Sequence, residues 1–177
     1  MITPTMIKFA ILMHDIGKHA TPENILPHHY EHEMRGLEYI NRIADRLKIP
    51  NDYRNFALLC CKNHMRMFKI INMKISKQYK FVKDVSNNFK DKNLLESFLI
   101  VCKCDHLSEN DSEDLRYKFK LREDRMRKIF DIMYGVNLET FDKKTQETLS
   151  RHSGEDFGKV YEFFKIKYLE EKMKEEE

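Results

Sequence analysis

The sequence predicts an all-α protein, on three observations. Gly and Pro number only 5 and 4 in 177 residues, too few to punctuate many short strands. Lys, Leu, Glu and Met recur along the chain, and these straight-chain residues lose little rotamer freedom in a helix. Apolar residues return at three- and four-residue intervals, the period of a helix face. Hydrophobic residues make up 41% of the chain, enough for a real core. The length suits one domain, or one domain and a tail.

The periodicity predicts a first helix over 5–14, with Ile7, Ala10, Ile11 and His14 on one side. Residues 15–28 read as a loop, punctuated by Gly17, Pro22 and Pro27. A second helix over 29–48 carries Leu37, Ile40, Ile43, Ala44 and Leu47. Pro50 ends it, and Asn51 is the expected cap of a third helix over 52–69, striped by Phe56, Ala57, Cys60, Cys61, His64 and Phe68. Ser76 is the expected cap of a short helix to Ser86. Asp91 is the expected cap of another to His106, striped by Leu95, Phe98, Leu99 and Cys102.

After Ser108 a long charged helix runs to Tyr134, carrying Leu115, Phe119, Met126, Ile129, Phe130 and Met133. A short helix is expected over 142–150. Gly154 precedes a last helix striped by Phe157, Val160, Tyr161, Phe164 and Tyr168. The charged end, Glu170 to Glu177, is expected to fray. The expected organisation is a core unit over 1–108 and a helical tail over 109–177.

No apolar run approaches the length of a membrane span. The N-terminus lacks the layout of a signal peptide, so a cytoplasmic location is expected. Cys60, Cys61, Cys102 and Cys104 lack zinc-knuckle spacing and read as buried free thiols. The formal net charge is +3, but basic residues crowd one stretch: Lys62, Arg66, Lys69, Lys74, Lys77, Lys80, Lys83, Lys90 and Lys92, opposed by Asp84 and Asp91. This stretch reads equally as an RNA-steering patch or as a solvated helix face. Tyr79, Phe81 and Phe89 interleave with it, as stacking platforms for RNA or as core residues.

The sharpest local signal is His14-Asp15-Ile16-Gly17-Lys18. Imidazole and carboxylate at a helix end are natural ligands of one divalent transition metal. Gly17 permits a tight turn beside them, and Lys18 is placed to stabilise charge on a phosphate. His32, His64 and Asp105 share an oddity with His14: each falls in register with an apolar stripe. A carboxylate buried alone is costly, and one inward His is usually a core residue. Several inward His and Asp residues on separate helices point toward a shared metal site. His19, His28 and His29 either line the pocket or are exposed. His106 either orients Asp105 or is exposed, and His152 has no evident partner.

The segment Phe9 to Lys18 resembles the signature of the HD-domain phosphohydrolases. The likeness continues through Thr21-Pro22-Glu23, Leu26-Pro27-His28-His29, His32, Gly36, Arg46 to Asn51, Cys61-Lys62-Asn63-His64 and Cys104-Asp105. In this order the segments resemble the HD domain of the bacterial multifunctional CCA proteins, tRNA nucleotidyltransferases with a C-terminal phosphohydrolase part. The likeness covers roughly residues 5–110. It implies an HD-domain helical bundle with a C-terminal helical appendage. It implies hydrolysis of 2′,3′-cyclic phosphodiester or phosphomonoester groups of nucleotides or RNA ends, with a divalent transition metal such as Ni, Mn, Co or Fe, or with Mg. His14, Asp15 and Asp105 match the family's metal ligands, and His32 and His64 match histidines that help hold a second metal. Asp15 and Lys18 are the implied catalytic residues.

The chain departs from the family's pattern in two ways. That pattern begins with a further His on an earlier helix, but none of the thirteen residues before His14 is His. Either the chain starts inside the domain or the site lacks one ligand, for which His28 or His29 would be the substitute. Nor does the Gly-Ser and paired-Asp motif of the nucleotidyltransferase occur, so the chain by itself is not expected to add CCA. Two other functions follow as alternatives: a non-catalytic fragment that binds tRNA or a separate nucleotidyltransferase polypeptide, and a nucleotidase acting on free nucleotides.

Overall fold

Four helices begin where the sequence offers a side-chain acceptor to the first exposed N–H groups. In the computed structural model, which describes residues 1–108 and 111–175, Thr3 accepts from the Met6 N–H, with a proline in the first turn of α1 (Pro4–Met13). Asp91 accepts from the Leu94 N–H to start α5 (Lys92–Leu107). Ser112 starts α6 (Glu113–Met133) and Asp142 starts α7 (Lys143–Ser150) in the same way. Such caps satisfy backbone donors that the helix itself cannot. The other helices are α2 (His32–Leu47), α3 (Asn51–Met67), α4 (Ile75–Val85) and α8 (Gly154–Lys174). No strand occurs among the described residues, so the all-α expectation holds.

Several local expectations are corrected. Residues 15–28 are not a plain loop but hold two 3-10 turns, Ile16–Ala20 and Glu23–Ile25. Helix α2 starts at His32, not at 29, because Glu31 adopts a left-handed backbone (φ 60°) that reverses the chain. Asn51 does not cap α3: Pro50 takes that position, and Asn51 is the first helical residue. Ser76 lies inside α4, which begins at Ile75. Leu47 is exposed, because α2 turns it past the core at its last residue. Cys60, Cys61 and Cys102 are buried, but Cys104 is exposed on the outer face of α5. The C-terminal end is helical through Lys174, pinned by the buried side chains of Leu169 and Met173. Residues 176–177 of the segment expected to fray lie outside the described residues, as do residues 109–110 at the expected boundary.

Helices α1, α2, α3 and α5 pack around one another, α6 covers α4 and α5, and α8 lies on α4 and α6. The buried side chains form one cluster, from Met6, Ala10 and Met13 on α1 to Phe119 and Met126 on α6 and Met173 on α8. Arg127 of α6 adds a two-pronged tie to α5, its Nε and Nη2 donating to the Glu96 carboxylate at 2.9 and 2.8 Å.

The tightest packing lies beside the sequence's sharpest signal. A Cβ added to Gly17 would stand 1.9 Å from the His32 carbonyl oxygen and 2.5 Å from the Gly36 nitrogen. One added to Gly36 would stand 2.6 Å from the Cys61 Sγ. Gly17 has no positive φ, so the turn does not require glycine there; the close approach of the backbone to α2 does. Gly17→Ala is therefore expected to destabilise the protein by about 2–3 kcal/mol, as overpacking does. For a chain of this size that is a fall of roughly 4–12 °C in Tm, measurable by thermal unfolding followed by circular dichroism.

Candidate metal centre

Four helix ends deliver the candidate residues. His14 and Asp15 follow the last turn of α1, His64 lies in the last turn of α3, Asp105 in the last turn of α5, and His32 opens α2. The C-terminal ends of three helices thus face one place, and their unpaired carbonyls favour positive charge there.

Each histidine is held by the carbonyl three residues before it. The Nδ1–H groups of His14, His32 and His64 donate to the carbonyl oxygens of Ile11, His29 and Cys61 at 2.7, 2.8 and 2.8 Å. A carbonyl oxygen only accepts, so Nδ1 carries the proton in all three rings. Each Nε2 in the neutral ring then presents a lone pair. Those lone pairs converge on carboxylates: His32 Nε2 lies 3.0 Å and His64 Nε2 3.5 Å from Asp15 Oδ1. His14 Nε2 lies 3.4 Å from Asp15 Oδ2 and 3.3 Å from Asp105 Oδ1. The Nε2 atoms of His32 and His64 face each other at 3.1 Å.

Acceptors brought this close repel unless positive charge comes between them. His14 Nε2 and Asp15 Oδ1 are buried and have no hydrogen-bond partner. His14, Asp15 and His64 offer ligand atoms within 4.8 Å of one another, so the cluster can hold a metal ion. With protons alone to fill the gap, the His14 and His32 rings are driven toward the charged state. Burial lowers the His14 pKa, but the Asp105 and Asp15 carboxylates more than reverse this and push it up to about 10. Asp15 raises that of His32. Burial opposes the charge on Asp15, yet His14, His32, His64 and Lys18 hold its carboxyl far below the usual carboxylate range. Lys18 Nζ donates to Asp15 Oδ2 at 2.5 Å.

The structure brings together all six residues singled out for this site: His14, Asp15, Lys18, His32, His64 and Asp105. It does not bring in the loop histidines. His29 bonds Thr21 Oγ1 through Nδ1 at 2.7 Å, and exposed His28 stacks on Tyr30. Neither joins the cluster as a substitute ligand. His19 is exposed beside Tyr39. His106 is neither exposed nor bonded to Asp105: its Nε2 meets the Leu115 carbonyl at 3.2 Å, tying α5 to α6. His152 pairs with Asp156. Tyr79, Phe81 and Phe89 are core residues and present no stacking surface. Sequence reasoning missed the carbonyl brace on each imidazole and the tight packing at Gly36. The stripe at 32, 36 and 40 was a signal for the latter, since it faces α3.

Fold and site together define an all-helical protein with a buried His/Asp cluster of metal-ligating character. The chain is related in sequence to proteins named Multifunctional CCA protein. It is 27% identical to one from Acinetobacter baumannii strain AYE over 165 residues, which is 93% of this chain and 37% of that protein. It is 32% identical to one from Xylella fastidiosa strain M12 over 112 residues, 63% of this chain and 27% of that protein. The chain therefore spans well under half the length of these relatives. No family model matches the chain, and no solved structure matches it. No helix among the described residues is long and apolar enough to cross a membrane.

Protein purified without chelators is expected to carry a transition metal at near one equivalent, and a His14→Ala, Asp15→Ala double variant to carry none. Elemental analysis checks this. Restoring metal to stripped wild type at about 100 times its Kd should stabilise it by about 2.7 kcal/mol, a shift in Tm that the double variant lacks.

Proposed function

We propose that the chain is a metal-dependent phosphohydrolase acting on 2′,3′-cyclic phosphodiester or phosphomonoester groups of nucleotides or RNA ends. The observation that carries this is the convergence of three imidazole lone pairs on two carboxylates, with a buried His14 Nε2 and Asp15 Oδ1 left unpartnered. The resemblance to the HD domain of multifunctional CCA proteins supplies the reaction class and the link to tRNA, and the relatives of that name support the resemblance.

His14, Asp15 and Asp105 would hold the ion, with His32 and His64 joining them or holding a second. The mixed nitrogen and oxygen donors suit Mn, Fe, Co or Ni. Such an ion supplies Lewis acidity toward a phosphoryl oxygen and lowers the pKa of water. The protein's own part is to fix geometry and charge. The carbonyls of Ile11, His29 and Cys61 set the tautomer and aim each ring, as outer partners of a metal ligand do. Lys18 spends one N–H on Asp15 and keeps two for phosphate oxygens, where it neutralises charge that grows as water adds to phosphorus and the ester P–O bond breaks. The proton from water passes to the leaving oxygen, and the cyclic ester opens to a monoester.

A second reading has its own observation. Lys69, Lys74, Lys77 and Lys80 are exposed and form no ion pair among the described residues, a surface suited to tRNA. Other members of the basic stretch are already paired: Arg66 with Asp84, Lys83 with Glu162 and Lys92 with Asp131. Binding of tRNA that weakens with salt, without hydrolysis, would favour this reading.

The deciding assay supplies Mn²⁺, Ni²⁺ or Co²⁺ with 2′,3′-cyclic AMP and p-nitrophenyl phosphate esters. Wild type should hydrolyse at least one. Asp15→Ala should abolish turnover, and Lys18→Ala should lower kcat by about 100- to 1,000-fold, as loss of a charge-stabilising donor does. A wild-type protein that holds metal but cleaves none of these substrates would sink the proposal.

A further inference from the structure

Several arginines on the surface of this fold are neutralised. Arg54 pairs with Asp45, Arg66 with Asp84, Arg116 with Asp111 and Arg127 with Glu96. Arg35, Arg54 and Arg122 each have one buried guanidinium nitrogen with no hydrogen bond, but Arg35 donates to Thr21 and Arg54 pairs with Asp45 through their other nitrogens. Arg122, on α6, forms neither a side-chain hydrogen bond nor an ion pair among the described residues. Its guanidinium lies over the Phe68 ring, 5.6 Å from the centroid. Burial lowers its pKa, and no neighbouring carboxylate offsets this. A ring face attracts a cation but does not replace the hydrogen bond that a buried N–H has given up. The fold holds a partly desolvated cation in place and supplies no anion for it.

Its position gives this meaning. Phe68 lies one helical turn, about 5.4 Å, beyond His64. The Phe68 ring meets that of His106, at 5.4 Å between centroids, and His106 is the residue after Asp105. The His106 ring stacks in turn on Phe119, one turn before Arg122 on α6. Arg122 therefore stands beside the two helix ends that deliver His64 and Asp105. Lys69 follows Phe68, and Lys74 and Lys77 continue the unpaired positive surface into α4. A planar guanidinium presents parallel N–H groups to two oxygens of one phosphate.

We propose that Arg122 binds a phosphate group of the ligand, the one adjoining the group held at the His/Asp cluster. That this ligand is also a substrate rests on the phosphohydrolase reading; phosphate binding at Arg122 does not. The surface running on through Lys69, Lys74 and Lys77 extends the match from one phosphate to a short RNA chain.

The test reads binding without hydrolysis. A fluorescein-labelled RNA pentamer with a 3′-phosphate is titrated by fluorescence anisotropy, with chelator present so that no metal contributes. The proteins are wild type, Arg122→Met, Arg122→Lys and, as a control for loss of one charge on the same helix, Lys118→Met, whose lysine already pairs with Asp114. Arg122→Met should weaken binding tenfold or more, Arg122→Lys by less, and Lys118→Met hardly at all. The Tm of Arg122→Met should equal or exceed that of wild type, because an unsatisfied buried donor is removed. Wild-type affinity in Arg122→Met, or equal weakening in Lys118→Met, would overturn the proposal. Should Arg122→Met fail to fold, Arg122→Lys decides: undiminished affinity overturns. If wild type does not bind the pentamer, inorganic phosphate is the probe. A Tm rise larger in wild type than in the Arg122 variants assigns the site to a small phosphate compound, and equal rises refute it. Failure of the hydrolysis assay leaves this result standing, and the reverse is also true.

Discussion

The Asp15 carboxylate sits among three imidazole nitrogens and one ammonium, and that crowding governs the architecture around it. Each ring has its Nδ1 proton committed to a backbone carbonyl, so each directs a lone pair inward. Lone pairs and carboxylate oxygens 3.0–3.5 Å apart are stable only with positive charge among them. Protons can supply it, at the cost of charged rings in a partly buried place. A divalent ion would supply it at one point, and the orphaned atoms of His14 and Asp15 are of the type that could ligate one. Removing one member of such a set leaves the others uncompensated, which is why buried charge clusters are sensitive to single substitutions.

That cluster exists only because backbones meet without side chains between them. Gly17 lets the turn after α1 lie directly on the His32 carbonyl and the Gly36 nitrogen, and Gly36 makes room for Cys61. The same contacts bring α1, α2 and α3 together at the level where His14, His32 and His64 occur. Glu31 contributes by turning left-handed just before α2, which leaves the His29 carbonyl facing the His32 ring. The cluster and the packing of its helices are thus one arrangement, and a change in either is felt by the other.

The helices beyond the cluster are held by ordinary means. Phe119, Met126, Ile129 and Phe130 on α6, with Leu169 and Met173 on α8, join the same buried set as the α3 and α5 core. Three of the nine basic residues of the stretch, Arg66, Lys83 and Lys92, are paired with carboxylates, which reduces its reach as a field but leaves an unpaired face at Lys69, Lys74, Lys77 and Lys80. Arg122 lies between the two regions, since Phe68, beneath it, caps the helix that carries His64.

Much of the fold was legible in the sequence, because helical period and cap chemistry are local. Asp91 starts a helix where expected, since an acceptor ahead of an apolar stripe suffices for that, and the short helix expected over 142–150 is found at Lys143–Ser150. Local rules failed where tertiary contacts outrank them. Asn51 and Ser76 are good caps in isolation, yet Pro50 and Lys74 stand at those positions. Met173 keeps a charged terminus helical because the core takes it up. The candidate residues were legible too: polar side chains in apolar register disclose that something inward must satisfy them. What register could not disclose was which atoms face which. The proton on each Nδ1, the orphaned Nε2 of His14, the exclusion of His28 and His29, and the isolation of Arg122 depend on distances between residues far apart in the chain. Periodicity fixes the face a side chain occupies; only packing decides what stands opposite.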